Sequence, residues 1–242
     1  MVNNMLVLFT GELQRMKRYN IFAASLLISL IWIGILQFTG IEDVSSIFPL
    51  LIFLDATSMA MLMVGVTMFF EKQEGVIKTL LVSPIDKSEY ILAKSFANIL
   101  SNVVTLGVLY GYSKLFKEIN VNILGLLAAV ILIAFFHSLL GFLLTYYSKD
   151  FTGLLTGIMK YSFVFMIPVL LEQVGLIKNE TIKKFLYIIP TKSSMTLLNA
   201  SSIGIEMLEV VLSTLYLVLI SALLYYIVYK KFDEFAIRES GV

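Results

Sequence analysis

Residues 124–144 read LGLLAAVILIAFFHSLLGFLL, and no charged side chain occurs from Ile119 to Ser148. A membrane-crossing α-helix needs about 20 mostly apolar residues, each rising 1.5 Å. This stretch meets that requirement, and a soluble domain does not need an uncharged run of such length to bury a core. Backbone groups in lipid must find their partners within the segment, so the run is a helix. The alternating pattern of a membrane barrel strand is absent.

Five more runs of the same kind flank it. Tyr19–Ile41 carries no charge and contains ASLLISLIWIGIL. Val44–Phe70 is broken only by Asp55, and Phe151–Leu171 only by Lys160. Ser95–Ser113 and Val210–Tyr229 are uncharged. The expected fold class is therefore an all-α membrane protein with six transmembrane helices, at about 19–41, 44–70, 89–113, 121–148, 151–171 and 208–229. Composition agrees: 59% of the 242 residues are hydrophobic and 14% charged, where soluble domains carry about 45–50% and 25%. The first span follows a polar segment and has no small-residue cleavage site after it, so it reads as a retained span and not a signal peptide.

The charge and cysteine content exclude other classes. A net charge of +1 offers no basic field for nucleic acid. The absence of cysteine rules out disulfides and thiolate metal sites. The Lys-, Ile- and Asn-rich composition points to a bacterial cell membrane. With both termini placed inside, eleven Lys and Arg lie on the inner side and six on the outer. That bias favours cytoplasmic N- and C-termini.

The segments between spans are patterned too. In MLVLFTGELQRMKR, Leu6, Phe9, Leu13 and Met16 share one helix face, which predicts an amphipathic interfacial helix over residues 1–18. Between spans two and three, Val76, Ile77, Leu80 and Leu81 are apolar positions at helical spacing among charges. Pro84 ends that helix, because a residue before proline avoids the α region. Asp86 or Ser88 then caps the next helix, with Glu89 in its first turn. Between spans five and six, the apolar stretch before Pro190 predicts short helices dipping into the outer leaflet under cover of neighbouring protein.

The segment FFEKQEGVIKTLLVSPIDKSEYILAK resembles the signature of ABC-2-type permeases. There an acidic residue and glycine precede a short helix, a proline follows, then a polar turn and a helix with an early lysine. Here these are Glu74, Gly75, Pro84, Ser88 and Lys94; the family's glycine before that lysine is replaced by Ala93. Pro190-Thr191 looks like the family's outer segment before the last span. With six spans and an amphipathic N-terminus, the likeness covers nearly the whole chain.

That resemblance implies a single transmembrane domain over residues 19–242, forming half of an export pathway. The other half would be a second permease copy or a homologous permease. A dimer of cytoplasmic ABC ATPase subunits would drive them, holding ATP and Mg, with no cofactor on this chain. Residues 71–83 would be the coupling helix seated on the ATPase, with Glu71, Lys72, Glu74, Gly75, Lys78, Thr79 and Pro84 as the coupling set. The chain carries no GxxxxGK[ST] phosphate loop, no Gly-x-Ser-x-Gly elbow and no HExxH helix. It is thus expected to be a transport subunit without an ATPase site of its own.

Charges at bilayer depth cost about 2.5–3.5 kcal/mol each on insertion scales, so each asks for a reason. Asp55 and Lys160 each lie eleven residues from the outer end of their span, or about 16 Å deep at helical rise. They either pair across a common cavity or each face their own water. His137 is a relay or substrate contact, or more commonly a hydrogen-bonded structural histidine. Being the sole histidine, it marks no metal site. Met59 and Met63 belong to a methionine-rich stretch of span two that suits hydrophobic cargo, or fills space against lipid. These five are the substrate-path candidates. The spans rich in Phe, Leu and Met favour an amphipathic or hydrophobic substrate such as a drug, peptide or lipid. Two other classes stand beside this one. An ion-driven secondary transporter would use Asp55, His137 and Lys160 for coupling, but the two halves of the chain show no inverted repeat. A membrane immunity or scaffold protein would carry nothing.

Overall fold

In the computed structural model, which describes residues 2–202 and 204–240, six helices are long and apolar enough to cross a membrane. The amino-terminal helix α1 spans Val2–Arg18, and span one is α2, Ile21–Phe38. Span two runs Phe48–Gln73 as α3 (Phe48–Leu54), a π-helical turn over Asp55–Met59 and α4 (Ala60–Gln73). A seven-residue helix, α5 (Val76–Val82), precedes span three, α6 (Lys87–Phe116). Span four is α7, Ile123–Tyr147. Span five runs Phe151–Gln173 as α8 (Phe151–Tyr161), a second π-helical turn over Ser162–Met166 and α9 (Ile167–Gln173). Two short helices follow, α10 (Glu180–Leu186) and α11 (Pro190–Asn199). The last helix, α12 (Met207–Ser240), contains span six.

Local chemistry sets the boundaries. Ser83 is extended at φ −89°, ψ 156°, as the following Pro84 requires, and α5 stops there. Asp86, not Ser88, caps α6: its carboxylate accepts from Ser88 N at 2.6 Å, and Glu89 accepts from Asp86 N at 3.3 Å. Asn122 and Asp150 cap α7 and α8 in the same way.

Spans two, three and four form the inner row. Half or more of each apolar window is buried, against about a fifth for spans one, five and six. Span four is central, packed against α4, α6 and α12. Its Ile133, Phe136, Leu139 and Phe142 are buried in the main core. Two tight helix contacts fall at Gly141 and Gly65. A Cβ on Gly141 would stand 2.7 Å from the Met61 carbonyl oxygen, and one on Gly65 would stand 2.2 Å from a Leu154 methyl. The Gly153-x-x-x-Gly157 pair of span five sits in looser surroundings, with Gly153 facing its own cap and Gly157 facing Leu144. Gly141→Val should therefore push span four off the span two backbone. Overpacking of this kind costs about 1–3 kcal/mol. A lowered thermal midpoint in detergent would show it; an unchanged one would mean that the spans slide freely.

An even number of spans brings both chain ends to one end of the bundle. Lys87 at the start of α6 meets Asp233 in α12 at 2.6 Å there. At the opposite end, Val44 N donates to Glu118 O, and Glu118 N to Glu42 O. α11 lies among α3, α7 and α12 with Thr191, Ser193, Ser194 and Thr196 all buried. A backbone this enclosed has its polar groups covered by protein, whereas the apolar stretch before Pro190 leaves Phe185, Tyr187 and Ile188 exposed.

Candidate functional site

At the end carrying both chain ends, the expected helix over 71–83 is two helices. α4 ends at Gln73, Gly75 takes the left-handed region at φ 72°, and α5 begins at Val76. Glycine meets this conformation without the Cβ penalty that other residues pay. α5 packs against α12 and α4, with Ile77 buried in the main core. Its other side shows Lys78, Thr79 and Val82, the last 86% exposed, and Pro84 is exposed beyond it. Glu74 sits at the corner, 3.4 Å from Arg18.

Two members of the expected coupling set therefore belong to span two. Lys72 is half-buried, with its ammonium 5.9 Å from the Phe69 ring centroid. Glu71 is fully buried and turned inward, so it presents nothing to a partner at that face. The reason is a cluster of charge. Lys94 Nζ lies 3.0 Å from Glu71 Oε1 and 3.0 Å from Glu12. Tyr90 OH donates to Glu71 Oε2 at 2.6 Å. Arg15 bonds Glu12 at 2.5 Å and lies 3.2 Å from Glu71. Two carboxylates and two cations thus face one another with both acids and Lys94 buried, the pairing that buried charge demands. Burial alone would raise the Glu12 carboxyl, but Lys94 and Arg15 reverse that and hold it below its ordinary value.

The cluster ties together α1, the base of span two and span three. Sequence periodicity found the α1 face but treated it as apolar. Met16 is buried, Phe9 and Leu13 half-buried, Leu6 58% exposed, and Glu12 lies buried in the middle of that face. The signal that was available is a lone acid, Glu12, three residues after Phe9 and four before Met16, and so on the same helix face as both. Lys94 entered the signature without its partners, which lie 82 and 23 residues away.

From Lys94 a buried polar track continues along α6 through Asn98, Ser101, Asn102 and Thr105. Asn98 donates to Ala60 O at 2.8 Å and Ser138 Oγ at 2.7 Å, and Ser101 meets Ser25 at 3.1 Å.

The substrate-path candidates separate. Asp55 is buried in the π-helical turn of span two, while Lys160 is exposed on span five, and no ion pair joins them. His137 is fully buried: Nδ1 lies 2.8 Å from Ile133 O and Nε2 3.2 Å from Tyr161 OH. A neutral ring protonated on Nδ1 satisfies both contacts, which matches the structural reading. Met63 is buried and Met59 half-buried, in a cluster with Met16, Ile21 and Ala97. They wedge span two against α1 and spans one and three, and do not line an open wall. The two π-helical turns meet through Met166, whose sulfur lies 3.7 Å from Thr57 Oγ1 and 3.8 Å from Ser58 Oγ. Such turns occur frequently at functional sites.

The chain is thus a six-span helical bundle with a short, partly exposed helix at the end that carries both chain ends, and a buried charge cluster joining α1 to spans two and three. The family model for the ABC-2 family transporter proteins matches residues 38–230, and the chain belongs to that family. It is a multi-pass membrane permease of the ABC transporter type. No curated protein matches it.

Proposed function

We propose that this chain forms half of an ATP-driven export pathway in a bacterial cell membrane, with both termini cytoplasmic. A dimer of ABC ATPase subunits supplies the energy and holds ATP and Mg. A second permease, identical or homologous, completes the pathway. The observation that carries this reading is α5: a short helix set off by a left-handed glycine, buried by Ile77 on one side and open through Lys78 and Thr79 on the other. Glu74, Lys78, Thr79 and Pro84 are its contact residues. Glu71 and Lys72 act one step behind it, and the Lys94 cluster passes its movement to α1 and span three.

The substrate is hydrophobic or amphipathic. Thr152, Thr156 and Lys160 recur every four residues on the exposed face of span five. A cation so deep in the bilayer is costly when faced by lipid. This face therefore lines the pathway or its seam with the second copy. Asp55, Met59, Met63 and His137 act from within the wall, by shape and packing.

Co-purification with a candidate ABC ATPase subunit tests the reading. Charge pairs central to an interface cost about 2 kcal/mol or more on truncation. Glu74→Ala with Lys78→Ala should then weaken association at least tenfold and lower substrate-stimulated ATP hydrolysis. Lys178→Ala, at the other end of the bundle, should change neither. Unaltered association in the double variant would remove α5 from the interface.

A further inference from the structure

On α12, Glu209, Ser213 and Tyr216 follow one another at spacings of four and three, so they share one helix face. That face meets Tyr187, just past α10, and Ser193 in the first turn of α11. With Leu212 these residues line a cavity of about 310 Å³ at the end of the bundle opposite the chain ends. Glu209 is the one charged residue of the six.

The walls are held in place. Tyr187 OH donates to Glu209 Oε1 at 2.7 Å, and Tyr216 OH donates to Ile188 O. Glu209 Oε2 has no partner among the described residues, and no Lys or Arg pairs with this acid there. Lys192 stands 5.1 Å over the Tyr187 ring, but its charge is met by Glu172 at 2.6 Å. Two hydroxyls are left over as well. Ser193 and Ser213 are 3% and 4% exposed. A buried helical serine commonly returns its hydroxyl to the carbonyl four residues back, as Ser29, Ser138 and Ser194 do. Ser193 and Ser213 make no such bond among the described residues, and both line the cavity. Polar groups buried to this degree are normally satisfied, so the pair fits a ligand that brings the missing partner.

Water alone would serve the hydroxyls. The carboxylate and the two rings add selection for a cation, because ring faces attract positive charge. One carboxylate oxygen and two hydroxyl oxygens accept three N–H bonds, the number a primary ammonium donates. Leu212 and the rings offer apolar surface to the rest of the molecule. The volume is near the lower bound of small-molecule pockets, about 300 Å³, which suits a body of about one aromatic ring. A metal ion fits less well: among the described residues no group of three acids or histidines could hold one.

We propose that this cavity binds a primary ammonium group carried on a small apolar body. The site is independent of the ATPase reading and of which way the bundle faces in the membrane. A bound cation would tie the start of span six to the turn between α10 and α11, since both line the cavity.

Isothermal titration of the full chain in detergent at pH 7 tests this, with phenethylammonium, 2-phenylethanol and phenethyltrimethylammonium as probes. Wild type should bind phenethylammonium about tenfold tighter than the neutral alcohol, and tighter than the trimethyl compound, which has the charge but no N–H. Equal binding of either analogue would overturn the proposal on the unmutated chain. Glu209→Gln should weaken phenethylammonium about tenfold or more. Ser193→Ala with Ser213→Ala should weaken it about tenfold and change the trimethyl compound little. Glu180→Gln, an acid on α10 outside the cavity, should change nothing. Unaltered affinity in Glu209→Gln would remove the site. Dioleoyl phosphatidylethanolamine carries the same ammonium on a lipid. Displacement of the probe by this lipid and not by dioleoyl phosphatidylcholine would make a membrane lipid the source, and displacement by neither would make it a free amine. Equal displacement by both would overturn the proposal, because phosphatidylcholine offers no N–H.

Discussion

Lys94→Met should unfasten the amino-terminal helix and destabilise the whole bundle, the largest single-residue effect expected in this chain. Lys94 holds Glu12 and Glu71 at 3.0 Å each, and all three are buried. Without it, two buried carboxylates face one partly exposed guanidinium. Breaking a buried pair by removing one partner costs about 3–5 kcal/mol, and for a chain of this size that is a fall of about 10 °C in thermal midpoint. Adding Glu71→Gln restores the balance of one acid to one base, so the double variant should be more stable than Lys94→Met alone. A Lys94→Met chain that melts with wild type, or strictly additive losses in the double variant, would show that the cluster contributes no coupling.

The same cluster sets an acid limit. Glu12 has a lowered folded-state value, so its contribution is fully present above its unfolded value, 4.5, and fades as pH falls through the folded one. Acid should therefore release α1 before the spans open. Proteolytic cleavage within residues 2–18 should accelerate below about pH 4.5 in wild type. It should be fast at neutral pH in Lys94→Met.

Gly75→Pro is the second large effect, and it should spare the fold. Proline sets φ near −65°, whereas Gly75 stands at 72°. Proline also lacks the N–H that Gly75 donates to Lys72 O at 3.2 Å. The corner between α4 and α5 must then take another path, and α5 leaves its bed against α12. Nothing lies within 4 Å of a Cβ at Gly75, so crowding is not the cause. Gly75→Ala serves as the control. It adds no clash and costs only the left-handed penalty of about 1–2 kcal/mol. In the reconstituted transporter, Gly75→Pro should abolish substrate-stimulated ATP hydrolysis while the melting midpoint of the permease falls little. Gly75→Ala should retain most of the stimulation. Full stimulation in Gly75→Pro would mean that the corner transmits nothing.

Much of the architecture was legible before any coordinates. Charge-free runs located six spans, because lipid forbids unpaired backbone and charge along about 20 residues at a time. Pro84 stopped α5 and Asp86 started α6 through chemistry confined to a few neighbouring residues. Periodicity placed Phe9, Leu13 and Met16 on one face of α1. The same local logic misled at Glu71. A charge at the end of an apolar span reads as a solvated contact, and nothing nearby in sequence announces that Tyr90 and Lys94 turn it inward. The split at Gly75 was also hidden, since a glycine between helical residues permits a corner without demanding one. Asp55 and Lys160 matched in depth, but depth is one coordinate, and their spans point them in different directions.

The sequence by itself determined the spans, their ends and the family likeness, because hydrophobic length, capping and proline geometry act within one helix or one turn. Only the tertiary structure decided which charges face one another. Glu12, Glu71 and Lys94 come from three helices, and their burial is tolerable only when all three arrive together. That dependence makes the cluster the joint between α1, the end of span two and span three.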